Sequence, residues 1–368
     1  MGSAQPTRPV GDILMTGDQV EMAAGCPSGG VPMVGTQFMA GGFMLVGCWS
    51  NDPVYTAVIN VETGGLAWKR QDPGNTQVFA RGRFVYVFTP VEQTAGALSA
   101  AETHFTLECL DGASGTSRWK SPVEDWLPAD KRDAGGEVEL TEGDGQIPGH
   151  PSTVWVDRAG STLFDADTGK ELWHGDRSGA TYDGYGILET ETNNNTGGWH
   201  AVGTSLLTGR PVWSITKPDI SGRGVQDGPV NVLVDTNRFF AYDVRTGKVL
   251  HSGTAPPTGN QLLFNTNWLL VDDKDTKSIK LYRFGSWNTP IWTIKADADA
   301  QLLVPGAAVL QGPRGVVLLN LREGSVAAEA RDTGLAGVQS SVGAAPSYGL
   351  GLLGNGSVIQ LDQDLTDQ

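Results

Sequence analysis

Residues 164–173 read FDADTGKELW, with two carboxylates, Asp165 and Asp167, one residue apart and just ahead of a Thr-Gly pair. Acids so spaced suit metal ligation or an acid–base couple, and they suit a tight turn equally well. The chain itself decides, because the stretch recurs. INVETGGLAW covers 59–68, LDGASGTSRW 110–119 and SLLTGRPVW 205–213, with weaker copies YDVRTGKVLH at 242–251 and LNLREGSVAA at 319–328. The shared glycines are Gly64, Gly115, Gly169, Gly209, Gly247 and Gly324. A degenerate copy, FGSWNTPIW (284–292), puts Asn288 in the glycine slot, and Asn is the next residue to tolerate a left-handed backbone.

Each copy has one grammar. A β-prone run ends in a polar residue four before the glycine: Asn60, Asp111, Asp165, Ser205, Asp243 or Asn320. Trp follows four after it, at Trp68, Trp119, Trp173, Trp213 and Trp292. That is a hairpin in which the Asp or Asn side chain bonds turn amides and the Gly supplies positive φ. The position two before the glycine holds Glu62, Ala113, Asp167, Leu207, Arg245 or Arg322, so Asp167 inherits no shared chemical duty. The opening pair of acids is turn chemistry.

Anchor-to-anchor steps of 51, 54, 40, 38, 41 and 36 residues fix the architecture. A unit near 40 residues built of short β runs, such as RFVYVF (83–88) and NWLLVD (267–272), is a four-stranded β-propeller blade rather than a helical repeat. The Trp of each outer strand is expected to wedge against the neighbouring blade. After the seventh anchor, APSYGLGLLGNGSVIQLD (345–362) gives two more strands around a Gly-Asn-Gly turn, and GDILMTGDQV (11–20) is strand-like. The expectation is an all-β propeller of eight blades, the eighth closed by the N-terminal strand, with seven blades as the alternative. Residues 11–368 form this single domain, with an acidic insertion at 121–150.

Bulk properties narrow the function. A net charge of −15 repels phosphate backbones, which argues against a nucleic-acid partner. No run of 18 apolar residues spans a bilayer. MGSAQPTRPV (1–10) lacks the apolar core of a signal peptide and reads as a disordered cloning scar on a truncated chain. Cys26, Cys48 and Cys109 fit no zinc or C-x-x-C pattern; Cys26 and Cys48 are a candidate disulfide if the protein is exported, and three buried thiols are the alternative. The five histidines have no ligand spacing.

The pattern Asp-x-x-Thr-Gly-x-x-x-Trp resembles the repeat of the quinoprotein-type β-propellers, over roughly residues 40–365. That family includes quinone-dependent dehydrogenases, sensor domains, and a non-catalytic eight-bladed lipoprotein of bacterial outer-membrane assembly, which this chain most resembles in size. The resemblance implies the fold. It carries over no catalytic residue, because the adjacent-cysteine pair of many such dehydrogenases does not occur here and no motif matches their calcium ligands.

In a four-stranded meander A–B–C–D, the B–C and D–A connections share one end of the blade. The irregular segments 50–56, 89–102, 190–200 and 272–278 fall between B and C, and 121–150 joins D to A. That loop-rich end is the expected functional face. Candidate binding residues there are Trp49, Trp199, Trp126 and Leu127, the last two an apolar anchor within an insertion of eight acids and two bases, together with Asp272 and Asp273. DDKD (272–275) and ADADA (296–300) are carboxylate-rich enough to raise calcium as a cofactor, although neither has the spacing of a known calcium loop. No other cofactor is expected.

Three readings follow. The first is a non-enzymatic, extracytoplasmic, monomeric scaffold, secreted, periplasmic or membrane-anchored, that presents one face to a protein partner of the cell envelope. The second is a ligand- or glycan-sensing ectodomain, and the third a quinone-dependent dehydrogenase.

Overall fold

The computed structural model describes residues 11–25, 31–39, 41–49, 54–74, 76–93, 102–123, 139–143, 153–157, 161–175, 180–182, 185–190, 199–205, 210–217, 224–227, 230–234, 238–243, 245–254, 261–264, 267–304, 306–332, 335–339, 350–353 and 357–361. These gather into two compact units: Met1–Cys48, Ala57–Ala67 and Ala255–Gln368 in the first, Trp49–Thr56 and Trp68–Thr254 in the second.

The chain opens with β1 (Gly11–Met15) and helix α1 (Gly17–Ala24). The first sheet follows as β2 (Val31–Met39), β3 (Phe43–Trp49), β4 (Val54–Asn60) and β5 (Gly65–Asp72). The second is β6 (Gln77–Arg81), β7 (Phe84–Gln93), β8 (Glu102–Asp111) and β9 (Ser117–Val123). The third is β10 (Glu139–Gly143), β11 (Thr153–Asp157), β12 (Ser161–Asp165) and β13 (Glu171–Gly175). The fourth is β14 (Ala180–Tyr182), β15 (Tyr185–Thr190), β16 (Trp199–Ser205) and β17 (Pro211–Lys217). The fifth is β18 (Gly224–Asp227), β19 (Val230–Val234), β20 (Arg238–Asp243) and β21 (Val249–Thr254). The sixth is β22 (Gln261–Phe264), β23 (Trp268–Asp273), β24 (Ser278–Arg283) and β25 (Trp292–Lys295). The seventh is β26 (Asp299–Val304), β27 (Ala307–Gly312), β28 (Gly315–Asn320) and β29 (Val326–Arg331). The last three strands are β30 (Leu335–Gln339), β31 (Leu350–Leu353) and β32 (Val358–Leu361).

Seven of the sheets are meanders of four consecutive strands, and the eighth has the order β1-β32-β31-β30. The N-terminal strand therefore joins the last sheet, with Gly11 opposite Leu361 and Ile13 opposite Ile359. Eight four-stranded antiparallel blades make this an all-β propeller fold, as the repeat predicts.

Middle strands are buried in unbroken runs: Thr56–Ile59 in β4, Phe239–Tyr242 in β20, Leu269–Asp272 in β23 and Ala307–Leu310 in β27. Continuous burial means that both faces of a sheet are covered, which is why these strands read as plain apolar runs and not as alternating ones. In the second unit, Phe84, Tyr86, Phe88 and Leu107 pack with Val154, Val156 and Phe164 of the next sheet. In the first unit, Leu270, Ile279 and Leu281 pack with Ala308, Leu310 and Leu319.

The turn grammar holds atom by atom. Asp165 Oδ1 accepts the N–H groups of Asp167 (3.0 Å) and Thr168 (2.8 Å), while Gly169 donates its N–H to the Asp165 carbonyl at 2.8 Å. Asp111, Asp243 and Asn320 make the same bonds in their own turns. Asp167 does nothing that the repeat requires; it is half exposed and pairs with Arg83 at 3.1 Å and Arg118 at 3.6 Å.

The repeat tryptophans do wedge, and onto a specific target. Trp119 lays its ring on Gly169 of the next turn and donates Nε1–H to the Ala166 carbonyl at 2.8 Å. Trp68 does the same with Gly115 and the Gly112 carbonyl (2.8 Å), and Trp292 with Gly324 and the Leu321 carbonyl (2.7 Å). Trp213 covers Gly247. Trp173 stacks edge-on against Trp155, with ring centres 5.1 Å apart, and its counterpart Gly209 lies outside the described residues.

Three expectations need correction. GDQVEMAA continues the N-terminal strand not as strand but as α1, started by a reciprocal Thr16–Gln19 capping box and ended at Gly25 with φ 57°. Asn288 does not stand in for a left-handed glycine: the positive φ of that turn is at Gly285 (78°), because eight residues rather than five connect β24 to β25. The acidic insertion is not one D–A connector. β9 runs to Val123, and Glu139–Gly143 forms β10, paired residue by residue with β11, so only 124–138 link D to A.

Candidate functional site

The loop assignments place a candidate site at the B–C and D–A ends of the sheets, and the first unit describes that end in detail. The β23–β24 turn is closed by Asp273, whose Oδ1 accepts the Thr276 N–H at 3.0 Å and whose Oδ2 meets Lys280 Nζ at 3.1 Å. Hydrogen bonds from the Thr276 side chain and then its backbone, followed by Lys280, hold the Asp273 carboxyl down at about 2. Lys277 closes the turn with φ 48°.

Asp272, 2% exposed, points the other way. Its Oδ2 accepts the Ala300 N–H at 3.0 Å and pairs with Lys274 Nζ at 2.7 Å. Lys274 also reaches the Ala298 carbonyl at 3.0 Å and the Asp299 carboxylate. Burial lowers the Lys274 pKa, but Asp272 and Asp299 outweigh it and the net shift is upward. Lys295 Nζ donates to the Thr276 carbonyl at 2.8 Å, Ala296 N–H to the Lys277 carbonyl at 3.1 Å, and Lys277 pairs with Asp297 at 3.4 Å. The sixth-blade turn thus pins the connector 296–298 against the seventh blade.

This pinned connector forms one wall of a groove of about 370 Å³. Ile294, Ala296 and Ala298 line one side, and Leu310, Val316 and Leu319 are among the residues of the other. The tip of the β27–β28 hairpin stands at the mouth, a two-residue turn of Pro313 and Arg314 between the paired Gly312 and Gly315. The groove is apolar within and charged at its rim, where Asp297 pairs with Lys277 and Glu329 with Arg331.

Of the residues singled out from sequence, Asp272 and Asp273 sit at this end and hold its turns. Trp49 ends β3 and Trp199 begins β16, so the backbone puts both at the B–C ends of their own sheets. Trp126, Leu127 and Cys26 lie outside the described residues. Cys48 is a backbone position in β3, and Cys109 is a buried free thiol. The carboxylates of DDKD and ADADA do not fit a calcium site. Asp272, Asp273, Asp297 and Asp299 are each taken up by a lysine, and no cluster of three metal-ligating side chains occurs among the described residues. Sequence reading missed Lys274, which ties the two blades together, and Arg314. The signal for Arg314 was QGPRGV (311–316), a Pro-Arg tip between the aliphatic runs AAVL and VVLL.

No family model matches the chain, and no curated protein matches it. Solved structures do. The computationally designed Ika8 protein aligns over 90% of this chain and 97% of its own at 12% identity, with a TM-score of 0.51. Sqt1 from Saccharomyces cerevisiae aligns over 88% and 93% at 11% identity, TM-score 0.50. BamB from Moraxella catarrhalis aligns over 89% and 94% at 14% identity, TM-score 0.47. Dehydrogenases align at comparable scores below 0.5. At these identities the likeness extends to the β-propeller fold alone.

Proposed function

We propose that this propeller is a non-enzymatic protein-interaction scaffold that engages its partner with the B–C and D–A ends of its blades. The observation that carries the reading is the groove beside Arg314: an apolar cleft with a charged rim, one wall of which is pinned by the Lys274–Asp272–Asp299 network. A surface ordered before contact lowers the entropy lost on ordering it, and charges at its rim select by complementarity. Trp49 and Trp199 stand at the same type of strand end and extend the reading to the second unit. Extracytoplasmic residence, secreted, periplasmic or anchored, with an envelope partner, is part of the proposal and rests on the family resemblance.

A ligand-sensing role is the second reading, favoured by one observation: about 370 Å³ falls within the range of small-molecule sites, roughly 300–1,000 Å³. The test is affinity isolation from an envelope extract of the source organism, comparing the intact chain with one in which 124–138 are replaced by a short glycine-serine linker. One protein enriched by the first and lost by the second supports the scaffold. Retrieval by neither, with saturable thermal stabilisation by a small molecule, transfers the groove to the sensor reading.

A further inference from the structure

From the groove's charge balance we infer that its occupant is an extended peptide segment of a protein partner carrying a carboxylate next to aliphatic side chains, with Arg314 receiving the carboxylate. This rests on the scaffold reading and names the chemistry of the partner. Four charged side chains line the groove, and the two acids are ion-paired while Lys295 meets only a neutral carbonyl. Lys295 holds the Thr276 carbonyl (2.8 Å), Asp297 pairs with Lys277 (3.4 Å) and Glu329 with Arg331 (2.5 Å). Arg314 has no side-chain partner among the described residues, so the charge left unmet at the groove is positive, on a chain whose net charge is −15. A guanidinium offers a fork that fits a carboxylate in bidentate fashion, and beside an apolar wall that pairing is screened less than in open water.

The position of Arg314 is fixed by its backbone. Its carbonyl accepts the Asp332 N–H at 2.8 Å, and the next residue, Gly315, has φ 128° with the Ala330 carbonyl oxygen only 1.9 Å from where a Cβ would stand. No other residue fits there, so β29 and the hairpin tip are locked and Arg314 is presented from a rigid stem. Shape argues for an extended chain. The groove runs from Gly324 and Val326 at one end of β28 to Arg314 at the other, the length of a six-residue strand and about 17 Å by strand rise. A narrow volume over that length suits a few residues of extended peptide with small aliphatic side chains against Ile294, Leu310 and Val316.

The test is selection from a phage-displayed library of random seven-residue peptides, followed by fluorescence anisotropy with the selected peptides. The wild type is compared with Arg314→Glu and Arg314→Lys, each first shown to unfold at the wild-type temperature. The expected peptides carry Asp or Glu beside Leu, Ile or Val; Arg314→Glu weakens their binding at least tenfold and Arg314→Lys by less. Peptides without an acidic residue, or binding indifferent to Arg314→Glu, overturn the inference. So does octanoate that displaces the peptide at equal concentration, which would assign the groove to small aliphatic acids. Should crosslinks from the groove still reach a partner while Arg314→Glu changes nothing, the scaffold reading survives and this inference alone fails.

Discussion

The glycine of each repeat turn answers to two constraints, and they can be separated. Gly64 and Gly169 share almost the same backbone, φ 66° and 69°. A Cβ on Gly64 would meet only Met15 Cε at 3.8 Å, whereas one on Gly169 would lie 2.4 Å from the Trp119 ring. Asn tolerates the left-handed backbone but brings the Cβ. Gly64→Asn is therefore expected to cost well under Gly169→Asn, the difference being the roughly 1–3 kcal/mol of forced overpacking. Urea unfolding of both variants checks this, and equal losses would refute the two-constraint account. Asp167, by contrast, makes only exposed ion pairs, so Asp167→Asn should change stability by no more than about 0.5 kcal/mol. At this scale the sequence was most informative. Which of two acids bonds the turn follows from the repeat alone, since only Asp165 has a polar counterpart in every copy that keeps the glycine. That the glycine also carries a tryptophan ring did not follow, because the contact joins residues about 30 to 50 positions apart.

Among the elements, the β23–β24 hairpin gives a pH signature. The Asp273 carboxyl lies at about 2 in the folded chain, below an ordinary aspartate near 3.9. A depressed value means that ionised Asp273 stabilises the fold above pH about 4 and that this contribution fades as the pH falls toward 2. Asp273→Asn should thus melt below the wild type at pH 6, and the gap should close by pH 2 in thermal scans across that range. A gap independent of pH would show that the Thr276 and Lys280 bonds do not depend on the charge. Elements with a local code were legible: the aliphatic run that became β23, and the two strands around the Gly-Asn-Gly turn. Those without one were not. ELTEG, at 139–143, has a single apolar residue, and only pairing with β11 makes it a strand. In α1 the Thr16–Gln19 capping box was present in the sequence but was overshadowed by the strand-like run before it. Asn288 was misplaced because matching a position in a repeat says nothing of loop length.

For the molecule as a whole, eight blades and the pairing of the first strand with the last follow from the seven anchors together with the strands read at 345–362 and 11–20, while the groove could not be read. Its walls come from Ile294, Ala298, Leu310 and Val316, on strands and connectors of two blades, and no local pattern marks residues that converge only through sheet packing. The same holds for Lys274, which reads as one charge in a solvated run and in fact fastens the 296–298 connector. What the alternating connections set out is polarity: the B–C and D–A links 94–101, 124–138 and 191–198 are longer than the C–D turns, most of which have five residues, while the A–B links 144–152 and 340–349 at the C–D end are long as well. The central claim is that the partner meets the B–C and D–A end. The most direct measurement places a photocrosslinking amino acid singly at Lys295, at Pro313, and at Thr168 and Thr246 in the C–D turns, and irradiates each in an envelope extract of the source organism. The account predicts one common partner crosslinked from 295 and 313 and none from 168 or 246. Crosslinks confined to 168 and 246, or spread evenly over all four positions, would contradict it.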